Sequence, residues 1–446
     1  MKTRYYIAFL ILLGLWSCKP EIEEFTPSRG DVDLSNYIAV GNSLTAGYAD
    51  GALYKSGQEN SYPNILATQF KKAGGGEFKQ PLMVDDYGVG FDGLQPVPKL
   101  VLGYDTDCLG NTDLAPVRAD VEVNPENLLP INEQGPFNNI GVPGLRAVDA
   151  LIPGYGVVNP YYGRFMSDGQ NSILDEVTTV NGTFFTLWLG QNDILSYATS
   201  GGVNPIVPVE DFTAAMQTII NTLTTNPDVK GAVANIPNLL DAPFFTTVPY
   251  NALVLQDAAS IGQLNAAYAP LNQQIKLAGS TDTIVFAAGP NPLVVEDATL
   301  PWGLRQLKPE DLVLLTTPSD SIKCGGWGSI TPVPANFVLD AAEKQEAEQA
   351  INEYNQSLTG LLNGKPVAFV NLNSKLSAAA SGELVFDGIT LTNEFVSGNI
   401  FSLDGLHLTP AGSAAVAYFF IEEINARFNA SVPQVIVSDY PAVTYP

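Results

Sequence analysis

One histidine, His407, is the only imidazole in a chain of 446 residues. General-base chemistry near neutral pH therefore has this side chain as its candidate. Asp404 lies three residues before it, close enough along the chain to accept a hydrogen bond from a ring N–H and to fix the tautomer. A lone histidine is more often a structural residue, and that alternative stays open from the local sequence.

A serine follows the first predicted strand and is a candidate nucleophile. Residues 36–40 are a short apolar run that ends at Gly41, which is typical of a buried strand. Ser43 comes two residues later, where a tight turn would lead into a helix and place the serine near the helix N-terminus. The simpler alternative is an N-cap, because Ser and Asn are both common at that position.

Two further segments could supply hydrogen-bond donors. Residues 190–193 (Gly-Gln-Asn-Asp) follow a second predicted strand at 183–189, so the amide of Asn192 could donate to an oxyanion at the strand end. Residues 139–144 read as a Gly-rich loop. Both segments can also be plain turns, the first with an Asx cap.

Together these pieces resemble the four conserved blocks of the SGNH, or GDSL-type, hydrolases, and they occur in that family's order. The blocks correspond to residues 41–44, to Asn139 with Gly141, to residues 190–193 and to residues 404–407. Each block alone is a weak signal, whereas four in order are a strong one. The resemblance covers the core strands and the last helix, but neither of two long segments between them.

The resemblance implies a role for each of these residues. Ser43 would be the nucleophile, His407 the general base and Asp404 the group that orients it. The Ser43 N–H, the Gly141 N–H and the Asn192 side-chain amide would form the oxyanion hole. This sequence departs from the family at residue 42, where Asn stands in place of the usual Asp; this substitution affects the charge of the loop rather than the reaction class.

The function that the resemblance implies is a serine esterase or acylhydrolase that cleaves carboxylic esters, with no cofactor and no metal. Its ester substrate would be a lipid or an acylated carbohydrate, and the sequence does not separate these two. The alternative is a catalytically inactive, surface-anchored binding lipoprotein on the same scaffold. Three cysteines and one histidine do not make up a zinc site of the usual kind. The acidic residues at 105–113 match a calcium loop only in part.

Strands alternate with helices along the chain, which predicts an α/β fold with a mostly parallel sheet covered on both faces. Further strands are predicted at 230–236 and 366–372, and a helix at 210–224. Asp340 begins a capping box, and Thr409-Pro410 reads as the start of the last helix. The family resemblance implies a flavodoxin-like three-layer sandwich with strand order 2-1-3-4-5.

Domain organisation is predicted to be simple. Residues 35–446 would form a single hydrolase domain. Two stretches rich in Gly, Pro and turns, at about 51–134 and 239–335, would be insertions in it. A separate small domain is the alternative, but no clean linker marks one. Cys108 and Cys324 lie one in each insertion, and in an oxidising compartment they are expected to form a disulfide. Two separate buried thiols are the alternative.

The N-terminus has the layout of a targeting segment. Residues 1–17 contain two basic residues and then an apolar run too short to span a membrane, as in a signal peptide. Cys18 then resembles the acylated cysteine of a bacterial lipoprotein, and an ordinary secretory peptide is the alternative. Residues 18–34 would be a tether. The expected location is the bacterial cell envelope, with a lipid anchor in the outer membrane on either its periplasmic or its surface face.

Charge argues against one class of partner. The chain carries 21 basic and 46 acidic residues, a net charge of −25. Nucleic-acid binding depends on clustered Lys and Arg that neutralise phosphates, so the composition excludes it. The same charge is repelled by anionic lipid headgroups, so the lipid rather than the protein surface would hold the chain to a membrane.

Overall fold

Five parallel strands form the central sheet of the computed structural model, which describes residues 25–446. The predicted signal peptide and Cys18 lie outside those residues. The five strands, in chain order, are β1 (Tyr37–Gly41), β2 (Asn139–Gly141), β3 (Phe184–Trp188), β4 (Lys230–Ala234) and β5 (Val367–Val370). They lie in the order β2-β1-β3-β4-β5, and every neighbouring pair is parallel. This confirms the predicted flavodoxin-like order.

The apolar character of the strands follows from burial on both faces. In β1, Tyr37 and Ala39 pack into one hydrophobic cluster, whereas Ile38 and Val40 pack into the other. Alternate residues of β3 are divided in the same way. The sheet is therefore the middle layer of three.

Helices form the two outer layers. The seven that matter for the site are α1 (Ser43–Ala46), α2 (Tyr62–Lys72), α3 (Asn192–Ala198), α4 (Val209–Leu223), α5 (Ala341–Leu361), α6 (Leu372–Ala380) and α7 (Pro410–Phe428). Helices α4 and α5 pack on one face of the sheet, and α2, α6 and α7 contribute to the cluster on the other. No helix of residues 25–446 is long and apolar enough to span a membrane.

The helix starts follow the sequence signals. Asp340 caps α5 by accepting from the N–H groups of Ala342 and Glu343, and the Glu343 side chain accepts from the Asp340 N–H, which completes the predicted capping box. Thr409 caps α7 by accepting from the Gly412 N–H, with Pro410 at the first helical position. Both predicted starts are confirmed.

Strand β2 lies within residues 139–144, for which the residue pattern predicts a Gly-rich loop. The structure forms a strand over Asn139–Gly141, and the loop begins at Val142. Three residues are too few to show a periodicity in sequence. They form a strand because their backbone pairs with that of β1, with Gly141 opposite Gly41.

The first predicted insertion contains one element of the core. Helix α2 lies inside the range 51–134, yet its residues pack in the cluster with α7 and the sheet, where Tyr62 stacks on Phe420. The rest of the range holds two antiparallel strand pairs, Gly90–Asp92 with Gln95–Val97 and Leu100–Thr106 with Thr112–Arg118.

Most of the second predicted insertion packs in a hydrophobic cluster of its own, which runs from Leu253 to Val338 and so extends a few residues past the predicted end at 335. It contains the helix Ala258–Leu277, which the sequence did not predict. Only Leu264 and Ile275 of that helix are buried, so its sequence carries no continuous apolar stripe. The remaining strands of this region pair Leu253–Leu255 with Gly289–Asn291, Val294–Glu296 with Leu304–Gln306, and Leu312–Val313 with Val338–Leu339.

Short elements complete the described chain. One more strand pair, Leu384–Phe386 with Ile389–Leu391, follows α6. The other short α-helices of the described residues are Lys55–Glu59, Pro160–Gly163, Ile173–Thr179, Pro243–Thr246 and Ser319–Lys323.

A disulfide between Cys108 and Cys324 joins the two long segments. Cys108 lies in the turn between strands Leu100–Thr106 and Thr112–Arg118, and Cys324 directly follows the helix Ser319–Lys323. Beside the disulfide, Lys323 Nζ lies 2.9 Å from an Asp107 carboxylate oxygen. The two segments are thus held together far from their points of attachment to the sheet.

Candidate active site

The carboxyl ends of three neighbouring strands meet at one place. Gly41, the last residue of β1, pairs with Gly141 on one side and with Trp188 on the other. A Cβ at Gly41 would lie 2.1 Å from Thr45 Oγ1 and 2.5 Å from the Trp188 carbonyl oxygen, so only glycine permits this turn. The loops after the three strands therefore begin side by side, where ligands of open α/β sheets bind.

Asn42, rather than Ser43, caps the helix that follows β1. The Asn42 side-chain oxygen accepts from the Leu44 N–H at 3.1 Å. The Ser43 hydroxyl is not used for capping, and it lies 2.9 Å from His407 Nε2. The capping function that the sequence left open thus belongs to the neighbouring residue.

His407 lies between the serine and a carboxylate. Its Nδ1 is 2.9 Å from Asp404 Oδ2. An ionised carboxylate can only accept, so Nδ1 carries the proton and Nε2 is left as the acceptor for the serine hydroxyl. The structure therefore brings the three residues together in a continuous chain of hydrogen bonds, although Ser43 and His407 are 364 residues apart in sequence.

The Asp404 carboxylate is held by several donors besides His407. Its Oδ1 accepts from the N–H groups of Leu406 and His407 and from the Ser402 hydroxyl, and its Oδ2 accepts from the Gly51 N–H. Burial alone would raise the pKa of this carboxyl. The hydrogen bonds from His407 and Leu406, together with the positive charge that the ring carries when it is protonated, outweigh burial and hold the pKa of Asp404 well below its usual range. The group is thus fixed in its ionised form.

Residues Asp50 and Gly51 also hold the loop at 402–408 that carries Asp404 and His407, called the acid loop from here on, and sequence reasoning missed them. Asp50 Oδ1 accepts from the Leu403 N–H, and the Asp50 N–H donates to the Ser402 hydroxyl, both at 2.9 Å. Burial raises the pKa of Asp50. No local pattern could have shown these contacts, because they join segments some 350 residues apart.

Asn192 lies beside the serine, at the start of α3. Its side-chain amide donates to the Leu145 carbonyl oxygen at 3.0 Å. An amide nitrogen carries two hydrogens, so one N–H remains for a ligand. The same bond ties the loop after β2 to the loop after β3.

Gly141 does not fit the role that the family resemblance implied. Its N–H donates to the Asn139 side-chain oxygen at 3.0 Å, and a Cβ there would lie 2.2 Å from the Ala46 nitrogen. The N–H is therefore already used, in a position packed against α1. Gly141 is the end of a strand rather than part of the loop, which argues against its N–H as an oxyanion donor.

Gly144 is the better candidate, and sequence reasoning passed over it. It is exposed, has φ +80°, and its N–H makes no hydrogen bond among the described residues. It directly precedes Leu145, the residue that Asn192 holds. The signal was present in sequence as the second glycine of the same loop.

The substitution of Asn for the family's usual Asp at position 42 is matched by a neighbouring amide. Asn42 Nδ2 donates to Gln191 Oε1 at 2.7 Å, and both side chains are buried. Two neutral amides avoid the cost of a buried charge at this turn. Gln191 Nε2 is itself buried without a partner.

Comparisons with known proteins find no matching family model and no matching curated protein. Among solved structures, the chain is similar to a Clostridium thermocellum family 3 carbohydrate esterase, with a TM-score of 0.30 and 15% identity. The match covers 88% of this chain and 98% of that one. At this TM-score the match does not assign a function.

Metal ligands are not grouped in the part of the chain that the structure describes, where no set of three His, Cys, Asp or Glu side chains could hold an ion. In the fragment that partly matched a calcium loop, Asp107 Oδ1 accepts from the N–H groups of Leu109 and Asn111, and Oδ2 pairs with Lys323. These contacts build a turn and its ion pair.

Asp193, next to Asn192, is a buried carboxyl that anchors the loop after β2. Its Oδ2 accepts from the Ala147 N–H at 2.8 Å, whereas its Oδ1 is buried without a partner. Burial raises the pKa of Asp193 to about 7, although the Ala147 N–H and the charge of Arg146 act in the opposite direction. The protonated form therefore fits this site best.

This pKa predicts how stability depends on pH. The unfolded carboxyl ionises near its ordinary pKa of 3.8, but the folded one ionises only near 7, so folding is favoured less as pH rises between those values. Relative to Asp193→Asn, the wild-type free energy of unfolding should fall by up to about 1.4 kcal/mol per pH unit between roughly pH 4 and pH 7.

Urea unfolding at several pH values measures this difference. Asp228→Asn, an exposed position after α4, is the matched control and should give a curve parallel to wild type. A constant difference between wild type and Asp193→Asn across the whole range would contradict the assignment.

Proposed function

We propose that the protein is a serine esterase that hydrolyses carboxylic esters. The observation that carries this proposal is the chain Ser43–His407–Asp404, with 2.9 Å at each link, built around the sole histidine of the sequence. Nucleophile, base and orienting carboxylate have the mutual geometry that acyl transfer requires. The site lies in an open cleft, so an ester can reach the serine.

The reaction follows from this geometry. Ser43 Oγ attacks the ester carbonyl carbon while His407 Nε2 takes the hydroxyl proton, and collapse of the tetrahedral intermediate breaks the bond to the alcohol oxygen. The imidazolium gives its proton to that oxygen, so the alcohol leaves. Water then attacks the acyl-enzyme, His407 takes its proton and returns it to Ser43, and the carboxylic acid departs.

Three donors are proposed for the oxyanion. They are the N–H of Ser43, the N–H of Gly144 in place of Gly141, and the free amide N–H of Asn192. Support comes from the unused N–H of Gly144 and from the bond that fixes Asn192 to the same loop. Preorganised donors of this kind stabilise charge that develops in the transition state.

The substrate class is a lipid ester or an acylated carbohydrate, and the location is the bacterial cell envelope with a lipid on Cys18. The location rests on the sequence pattern of residues 1–18 alone. Six aromatic side chains outside the core strands could stack on sugar rings: Tyr161, Tyr162, Phe244, Phe245, Trp302 and Trp327. Four of them (Tyr161, Tyr162, Phe244 and Phe245) are buried, and none of the six lines the cleft at Ser43.

Loss of the triad should abolish hydrolysis. Ser43→Ala and His407→Ala should each reduce the turnover of a p-nitrophenyl ester by orders of magnitude, because the two residues act as a unit. Asp404→Asn should be as damaging or somewhat milder, since it keeps the shape but not the charge.

Circular dichroism of each variant is the folding control. A folded His407→Ala protein with near-wild-type turnover would sink the assignment. Full binding of an ester with no turnover in the wild type would instead favour the inactive binding protein.

The oxyanion hole is tested through Asn192. Asn192→Ala should lower kcat by about 10²–10³-fold with a smaller effect on KM, because the amide acts mainly on the charged intermediate. Asn226→Ala, on the exposed turn after α4, is the matched control. An unchanged kcat in Asn192→Ala would remove this residue from the hole.

The lipid anchor is tested by labelling cells with radioactive palmitate. The wild type should incorporate label and sediment with membranes, and Cys18→Ser should do neither, because the thiol is the acylation site. Equal labelling of both proteins would rule out the lipoprotein assignment while leaving the esterase assignment untouched.

A further inference from the structure

The cleft that contains Ser43 and His407 extends over the carboxyl ends of β3 and β4. Its walls are apolar side chains from four parts of the fold: Leu195 of α3, Leu239 after β4, Leu376 of α6, and Phe401 before the acid loop. Trp188, the last residue of β3, is fully buried and also lines it. The atom-free space is about 740 Å³, counted out to the open mouth.

Polar side chains in the same wall are mostly bonded to other protein groups. Asn238 donates to the Asp241 carboxylate at 2.9 Å, and Asn393 donates to the Asp241 carbonyl oxygen at 2.8 Å. Among the described residues, no Lys or Arg lines the cleft. A polar or anionic group that entered would lose its hydrogen bonds to water with little in exchange. The cleft therefore suits an apolar ligand.

Two parts of an ester could occupy the cleft. The alcohol must depart before water can attack, so its side of Ser43 has to stay open to solvent. The acyl group remains bonded to Ser43 through that exchange and can occupy an enclosed space. A concave cleft with Ser43 in its wall therefore suits the acyl group, while the alcohol can be as large as a carbohydrate chain.

We propose that the cleft is an acyl-binding site and that the preferred esters carry apolar acyl chains longer than acetyl. This inference rests on the proposed function, because it assumes that Ser43 becomes acylated. It narrows the substrates to esters whose acyl chain is apolar and longer than acetyl, and it leaves the alcohol part unrestricted.

The experiment measures kcat/KM for p-nitrophenyl acetate, butyrate, hexanoate, octanoate and palmitate, with Ser43→Ala as the blank. Each buried methylene should raise kcat/KM by about threefold to fourfold until the cleft is full. A rise of at least about tenfold from acetate to hexanoate is expected, and the gain should stop at the chain length that fills the cleft. A second series with acetyl constant and the alcohol chain lengthened should be flat.

Filling the cleft tests its location. Leu376→Trp should lower the ratio of octanoate to acetate hydrolysis by about tenfold or more. Leu239→Trp is a second filling variant, should the first not fold. Leu277→Trp, at a highly exposed position on the helix Ala258–Leu277, is the matched control and should keep the wild-type ratio.

The outcomes separate this inference from the proposed function. Hydrolysis that depends on Ser43 but is flat or falling with acyl length would overturn the acyl site and leave the esterase intact. A preference that follows the alcohol chain would overturn it as well. Failure of folded wild type to hydrolyse any ester would remove both.

Discussion

The carboxylate of Asp404 is the point on which the site depends. It accepts five hydrogen bonds, from Ser402, Leu406, the backbone and the ring of His407, and Gly51. These bonds fix the loop before α7 and keep the group ionised despite its burial. Because the carboxylate can only accept, it also fixes the His407 tautomer and so leaves Nε2 facing Ser43.

The central sheet positions Ser43 and the proposed oxyanion donors. The register of β1 against β2 and β3 brings the starts of three loops together. Because Gly41 has no side chain, Thr45 and the Trp188 carbonyl can approach it closely, and the chain can turn sharply to Ser43. Asn192 then joins the second and third loops through the Leu145 carbonyl. Nucleophile and oxyanion donors are therefore positioned by backbone pairing, which is more rigid than contacts between flexible side chains.

The parts predicted from sequence are those with a local signal. Four core strands have apolar runs, α5 and α7 have caps, and the triad segments have characteristic residue types, so each could be predicted without the fold. The prediction failed where the deciding contact is distant in sequence. Strand β2 forms by pairing with β1, and it ends at Gly141. The Gly141 N–H is bonded to the Asn139 side chain, whereas Gly144 lies beyond the strand and its N–H has no partner among the described residues. The contacts of Asp50 with the acid loop likewise have no local pattern.

The long segments are structural partners of the site as well as additions to the sheet. The first provides Gly51 to Asp404, and the Arg118 side chain at the end of its long strand pair donates to the Gly51 carbonyl. The second places the Phe244 N–H on the Gly405 carbonyl, within the acid loop. Their far ends are joined by the Cys108–Cys324 disulfide. The acid loop is thus hydrogen-bonded on two sides to segments that are themselves joined by the disulfide.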